Sequence, residues 1–248
     1  MEAFFQSFYQ LYEKTGINLT ILYDAYDRGR FVEGIETSIW LSLSCLFFSL
    51  IIGLVGAWLQ GSNHTITKRF MQAYIQVFRN TPPLVQMYFF FFGVGVLLPL
   101  GESEYGIPEP MFSAFTWAVI SLSFFTGAFN IEIFRSGIES VPKSTIEAAE
   151  SLGYTRTKAY LYIVLPLAFR VCLPSLTNNM VNLVKTTTLA YAITVPELLY
   201  VSNQIWSDSS NVPEMMTVLL LTYFVLVGIL VWFMNRWERK LKLPGYGV

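Results

Sequence analysis

Long stretches without a single charged residue fix what this chain can fold into. Thr37 to Thr67, Asn80 to Gly101, Pro110 to Ile131 and Met215 to Asn235 contain no Asp, Glu, Lys or Arg. Val171 to Val184 is likewise uncharged; Lys185 interrupts, and Thr186 to Val195 continues to Pro196. A helix that crosses a bilayer needs about 20 mostly apolar residues. The windows therefore predict an all-α integral membrane fold with five transmembrane helices, at about 39–59, 82–100, 111–131, 171–195 and 215–235. Composition agrees: 54% of residues are hydrophobic and 13% charged, with mean hydropathy +0.48. Charged residues make up about 25% of a soluble chain, so disorder and nucleic-acid binding are excluded as classes. One histidine, His64, and two cysteines, Cys45 and Cys172, leave no disulfide framework and no metal-ligand set.

The charges between the windows predict orientation. The first loop carries Lys68, Arg69 and Arg79 without an acid, and the second carries Glu102, Glu104 and Glu109 without a base. The third, about Asn130 to Arg170, holds Arg135, Lys143, Arg156, Lys158 and Arg170. The fourth has Asp208 and Glu214, and the tail has Arg236, Arg239, Lys240 and Lys242. By the positive-inside rule the first and third loops and the C-terminus are cytoplasmic, and the N-terminus is outside. Residues 1–36 lack the basic start, apolar core and cleavage site of a signal peptide. Phe4, Phe5, Phe8, Leu11 and Tyr12 fall at helical spacing there, which predicts an amphipathic extracytoplasmic segment. Residues 37–248 are then one transmembrane domain with a cytoplasmic loop at 141–170, and no internal repeat is visible.

That loop holds the most specific pattern. Ser144 followed by Glu147 reads as a capping box, so a short helix is expected to start near Thr145. Ala148, Ala149 and Leu152 give it a small apolar face. Gly153 stands where a left-handed C-terminal cap belongs. Thr155 caps a second helix, expected to stop near Pro166. The product is two short helices joined by a glycine bend, with a face suited to another protein's groove.

Glu147-Ala148-Ala149, three residues, Gly153, nine residues, Ile163, one residue and Leu165-Pro166 resembles the EAA loop of ABC importer permeases. Arg79-Asn-Thr-Pro-Pro-Leu-Val-Gln86, Glu132-Ile-Phe-Arg135-Ser-Gly-Ile, Asn182-Leu-Val-Lys185-Thr-Thr-Thr-Leu189 and the end Leu243-Pro244-Gly245 are similar to segments of the polar amino-acid subgroup. The chain departs from that pattern at Ser144-Thr145, where Gly-Gln is common, and at Thr186, where an acid or amide is usual. The resemblance, over about 31–245, implies a permease domain in the bacterial cytoplasmic (inner) membrane. It implies an ATPase-coupling role for Ser144, Glu147, Ala148, Ala149, Leu152, Gly153, Ile163 and Pro166. It also implies three partners: an ATP-binding cassette ATPase dimer, a second identical or homologous permease subunit, and a periplasmic or lipid-anchored amino-acid-binding protein. ATP and Mg belong to the ATPase; this chain carries no phosphate-cradling Gly-x-x-x-x-Gly-Lys-Ser/Thr sequence and no cofactor of its own.

Polar residues at bilayer depth are the remaining candidates. Asn178, Asn182 and Lys185 follow i, i+4, i+7 spacing and share a helix face. Lys185 would lie about 21 Å into the fourth helix. These residues either meet the carboxylate of a cargo amino acid or hold helices together. At the start of the second helix, Thr81 or Asn80 is placed to cap Pro82 and Gln86 lies one turn further in, either as plain capping or as cargo contact. Lys185 suits a carboxylate, and the segment resemblance leans toward acidic amino acids or their amides. The alternative in a different class is an ATP-independent secondary transporter or channel, whose paired broken helices the sequence does not display.

Overall fold

A computed structural model of the chain describes residues 2–62, 64–102 and 106–241. Glu104, Lys242 and Leu243-Pro244-Gly245 lie outside the described residues, as do the side chains of Phe4, Phe5, Leu11 and Glu102. The order is α1 (Glu2–Thr15), α2 (Thr20–Tyr23), α3 (Ala25–Gln60), α4 (Thr65–Asn80) and α5 (Pro83–Tyr88), the last continued by a π-helical turn at Phe89–Val94 and a 3-10 turn at Gly95–Leu97. A two-stranded antiparallel hairpin follows, β1 (Leu100–Glu102) with β2 (Pro108–Pro110), in register Leu100 to Pro110. Then come α6 (Ala114–Glu139), α7 (Lys143–Ser151), α8 (Arg156–Ala159), a π turn at Tyr160–Val164, α9 (Leu165–Thr186) and a 3-10 turn at Thr187–Ile193. The chain ends with α10 (Leu198–Ser209) and α11 (Val212–Leu241).

Among the described residues, four helices are long and apolar enough to cross a membrane: Ala25–Gln60, Ala114–Glu139, the unbroken helical rod Arg156–Ile193, and Val212–Leu241. The expected second span, 82–100, is shortened to Pro83–Leu97. Pro99 is the cause, because the residue before a proline is pushed out of the helical region, and Leu98 sits at ψ 147. At 1.5 Å per residue the remaining stretch is about 22 Å long, short of the ~30 Å hydrocarbon core.

Other boundaries moved outward. The first long helix starts at Ala25, upstream of its charge-free window and across the boundary expected at 36/37. Ser113 Oγ accepts from Thr116 N at 3.2 Å and starts α6. That helix outruns 131 because Arg135 pairs with Glu132 at 3.7 Å and with Glu139 at 2.8 Å, one turn apart on a helix face. The second helix of the third loop does not stop near Pro166. Pro166 falls in the first turn of α9, where its missing N–H is tolerated, and the wide turn at Tyr160–Val164 absorbs the change of register.

The charge-free scan passed over two helices. In α4, Met71 and Ile75 are buried, and Tyr74 and Phe78 complete an i, i+3, i+4, i+7 stripe. In α10, Leu198, Val201, Ser202 and Ile205 make the buried face.

The chain divides into two compact units, and each long helix contributes a segment to both. One comprises Met1–Ser44, Met87–Ser121 and Val184–Gly228. Its core packs Phe31 of α3 against Leu198, Val201 and Ile205 of α10 and Met215 and Leu219 of α11. Arg30 joins Asp27 at 2.7 Å and Asp208 at 2.9 Å, and Glu214 accepts from Asn18 N at 3.0 Å. The other comprises Cys45–Gln86, Leu122–Leu183 and Ile229–Val248. Its core gathers Ala57, Met71, Ile75, Ile131, Phe134, Cys172 and Leu176. Helices approach closely there through small residues: a methyl added at Gly56 would collide with Ile131, and one at Gly137 with Cys172 Sγ.

Candidate functional site

The residues of the third loop form a helix-bend-helix, α7 followed by α8. The first helix begins two residues earlier than expected, at Lys143, with Pro142 as its cap residue. No capping box forms, because Ser144 already lies inside the helix and no side chain bonds to the cap. The far end is as expected from Gly153, whose φ is +86. Gly153 N donates to Glu150 O at 3.0 Å and Tyr154 N to Ala149 O at 3.1 Å, the paired 5→2 and 6→1 bonds of a Schellman termination. Thr155 Oγ1 then accepts from Lys158 N at 3.4 Å and caps α8, again as expected.

The face of α7 divides differently from the expected Ala148-Ala149-Leu152 surface. Ala149 is buried, and Ile146 packs toward the cluster of Val141, Val164 and Ala168. Ser144, Glu147, Ala148, Ser151 and Leu152 are all exposed and follow i, i+3, i+4, i+7, i+8 spacing. Ala149 thus faces inward, and the exposed face sets three small residues, Ser144, Ala148 and Ser151, beside the two larger ones, Glu147 and Leu152, the latter 80% exposed. A cleft of about 480 Å³ beside the bend is lined by Leu152, Gly153, Tyr154, Lys158 and Tyr162. Ile163 is half-buried in the π turn and Pro166 is exposed.

In α9, Asn178, Asn182 and Lys185 are all exposed and lie along one stripe of the helix. The neighbouring Asn179, which the sequence reading did not single out, turns the other way. Its Nδ2 donates to Asn130 Oδ1 at 2.8 Å, and Asn130 is buried in α6. An asparagine inside the third charge-free window was the available signal for that residue.

At the break between α4 and α5, Thr81 ends α4 instead of capping the next helix. Its Oγ1 donates to Val77 O at 2.7 Å. Gln86 is buried, and its Nε2 lies 2.9 Å from Phe78 O, 3.0 Å from Thr81 O and 2.7 Å from Thr81 Oγ1. The amide staples the turn, and Gln86 Oε1 is buried without a partner among the described residues. Arg79, just before the break, lies 3.5 Å from Glu132 and stacks on Phe129 at 5.1 Å. Two of the resembling segments are therefore joined side chain to side chain.

Glu197 was also missed, although an acid directly after Pro196 at the end of an apolar window was a visible signal. It is fully buried at the N-terminus of α10, where it accepts from Leu199 N at 3.0 Å and Tyr200 N at 2.9 Å. Burial holds its carboxyl above the ordinary range, opposed by the bonds from Leu199, Tyr200 and Tyr223. Among the described residues no group of three or more His, Cys, Asp or Glu comes together as a metal site.

The chain is 31% identical over 219 residues to the glutamate/aspartate import permease protein GltJ of Escherichia coli K12, covering 86% of this chain and 87% of that protein. It is 30% identical over 212 residues to the glutamine transport system permease protein GlnP of the same organism, covering 86% and 93%. Among solved structures, a crystal structure of an amino acid ABC transporter with histidines superposes with TM-score 0.77 at 26% identity, over 90% of this chain and 99% of that one. An inward-facing MetNI methionine ABC transporter shares the fold, with TM-score 0.68 at 18% identity over 89% and 100%. Residues 49–243 match the profile of the binding-protein-dependent transport system inner membrane component, and the chain belongs to that family.

Proposed function

We propose that this chain is a transmembrane subunit of an ATP-driven importer for polar amino acids, with acidic amino acids or their amides as cargo. Family membership supports the importer reading, and relatives named for glutamate/aspartate and glutamine support the cargo. The observation that carries it is the outward face of α7, where Ser144, Ala148 and Ser151 stand beside Glu147 and Leu152 and a left-handed bend at Gly153 ends the helix. Small residues at Ser144, Ala148 and Ser151 let a partner's surface approach the helix closely, with Leu152 as an exposed apolar contact and Glu147 as a polar one.

In this account the chain crosses the inner membrane five times, with Pro83–Leu97 as the short second pass. The N-terminus is outside, with α1 on the outer surface. Loop 141–170 and the C-terminus are cytoplasmic. An ATPase dimer, which holds ATP and Mg, receives α7. The bend joins α7 to the continuous rod Arg156–Ile193, so displacement of α7 moves the helix that carries Asn178, Asn182 and Lys185. Five passes are few to enclose a path, so that exposed stripe faces a second permease copy or homologue across it. A soluble or lipid-anchored binding protein delivers cargo from outside. Thr81 and Gln86 shape the break beside the path, and Lys185 supplies a cation for a carboxylate.

The test is Gly153→Pro in the co-expressed complex. Proline fixes φ near −65° and removes the N–H that Glu150 O accepts, so the bend cannot form. The expected result is retained co-purification of an ATPase with loss of uptake. Uptake at the unaltered rate overturns coupling through this loop.

A further inference from the structure

A groove of about 620 Å³ lies in the unit formed by Cys45–Gln86, Leu122–Leu183 and Ile229–Val248. Leu54 and Trp58 of α3, Ile138 of α6, and Leu161 and Phe169 of the rod contribute apolar walls. Arg156 also lines it, and of the lining residues on the rod it comes first, with the others further along. The cation therefore stands at one end of an apolar slot. Its guanidinium makes no hydrogen bond or ion pair with any described residue.

The walls are open to a second phase rather than closed against their own bundle. Trp58 is 74% exposed and Leu161 52% exposed, and Leu161 belongs to the π turn that breaks the helical register. An indole at a groove mouth suits the boundary between headgroups and hydrocarbon. A polypeptide laid in the slot would need partners along its whole backbone, and the lining offers polar groups chiefly at Arg156, Thr157 and Tyr160. An amphiphile with an apolar chain and an anionic head needs what is there. Lys158 and Arg170, both exposed on the same rod, add to the field that favours negative charge.

We propose that this groove holds one anionic phospholipid, its acyl chain against Leu54, Leu161 and Phe169 and its phosphate on Arg156. Placement in the cytoplasmic leaflet rests on the membrane orientation given under the proposed function. The lipid thereby packs against the rod beside α7.

The experiment is native mass spectrometry of the full chain with its co-purified partners. Samples come from nanodiscs of dioleoyl phosphatidylglycerol mixed with dioleoyl phosphatidylcholine. The unaltered chain retains phosphatidylglycerol in preference to phosphatidylcholine. Arg156→Gln lowers that preference about five-fold, the share of one basic residue near an anionic surface. Leu161→Gln, at an exposed wall position that the fold does not depend on, lowers retention of both lipids. Equal retention of the two lipids by the unaltered chain, or unchanged preference in Arg156→Gln, overturns the site. Retention is read without ATP or cargo, so its failure counts against the lipid site alone. Normal uptake by Gly153→Pro, outside the groove, counts against coupling through the 141–170 loop alone.

Discussion

The phenol of Tyr223 donates to Glu197 Oε2 at 3.0 Å, tying α11 to the N-terminus of α10. Around that contact the first three amides of α10 all find acceptors. Leu198 N reaches Ser38 Oγ at 2.9 Å, and Leu199 N and Tyr200 N reach the Glu197 carboxylate. A carboxylate at this position accepts N–H bonds and favours the positive end of the helix dipole, while its burial opposes ionisation.

Glu197→Ala removes the cap and one of the two hydrogen-bond partners of the Tyr223 hydroxyl, leaving Ser38. The expected loss is about 1–2 kcal/mol of stability, from the lost cap and one lost hydrogen bond. Thermal midpoints of the purified chain in mild detergent check it. The pH dependence has a definite sign: a carboxyl with raised pKa binds its proton more tightly in the folded state. Its contribution is fully present below the unfolded value, about 4.3, and is lost as pH rises through the folded value. The stability of the unaltered chain relative to Glu197→Gln should therefore fall as pH rises from about 4 and level off above the window.

Gln86→Ala should destabilise by about 1–3 kcal/mol, since its amide bonds to Phe78 and Thr81 close the α4–α5 break. Thr81→Val should do less, because the carbonyls of Phe78 and Thr81 keep the Gln86 amide. Midpoints in that order support a staple; equal midpoints for all three proteins contradict it.

Gly137→Val places two methyl groups and a branch where Cys172 Sγ and Ala168 O already stand. Overpacking of this kind typically costs about 1–3 kcal/mol. The yield of monodisperse protein after extraction should drop. The same change at Gly228, where nothing lies within 4 Å of an added Cβ, should leave that yield close to unaltered.

Lys185→Gln tests the polar stripe. Lys185 is exposed, so the midpoint should stay within about 0.5 kcal/mol of the unaltered chain. In proteoliposomes the half-saturating cargo concentration should rise if the ammonium meets a carboxylate. An unchanged uptake curve would remove Lys185 from the path.

Much of this molecule was legible because uncharged windows and a glycine bend are local signals. Gly153 needs only its own φ, and Thr155 needs only the next turn, so both stood out before any fold was known. The misreadings were of another kind. Ser144 had the spacing of a capping box, yet Pro142 opens the helix earlier and leaves that hydroxyl inside it. Pro166 had the chemistry of a stop, yet the preceding π turn absorbs it. Ala149 and Ala148 look alike in sequence; only the folded chain decides which of them is buried, and Ile146 of the same helix packs on Val164 and Ala168. Asn130, Asn179 and Glu197 depend on partners far along the chain, which spacing cannot supply.

The most direct test is site-specific cross-linking from α7 in membranes that contain the assembled importer. Cysteines at Ala148 and Leu152, both exposed, are predicted to link efficiently to an ATPase subunit, whereas one at the buried Ala149 is not. Links from Ala149 alone, no links at all, or links to a protein on the extracytoplasmic side would contradict a coupling role for this helix.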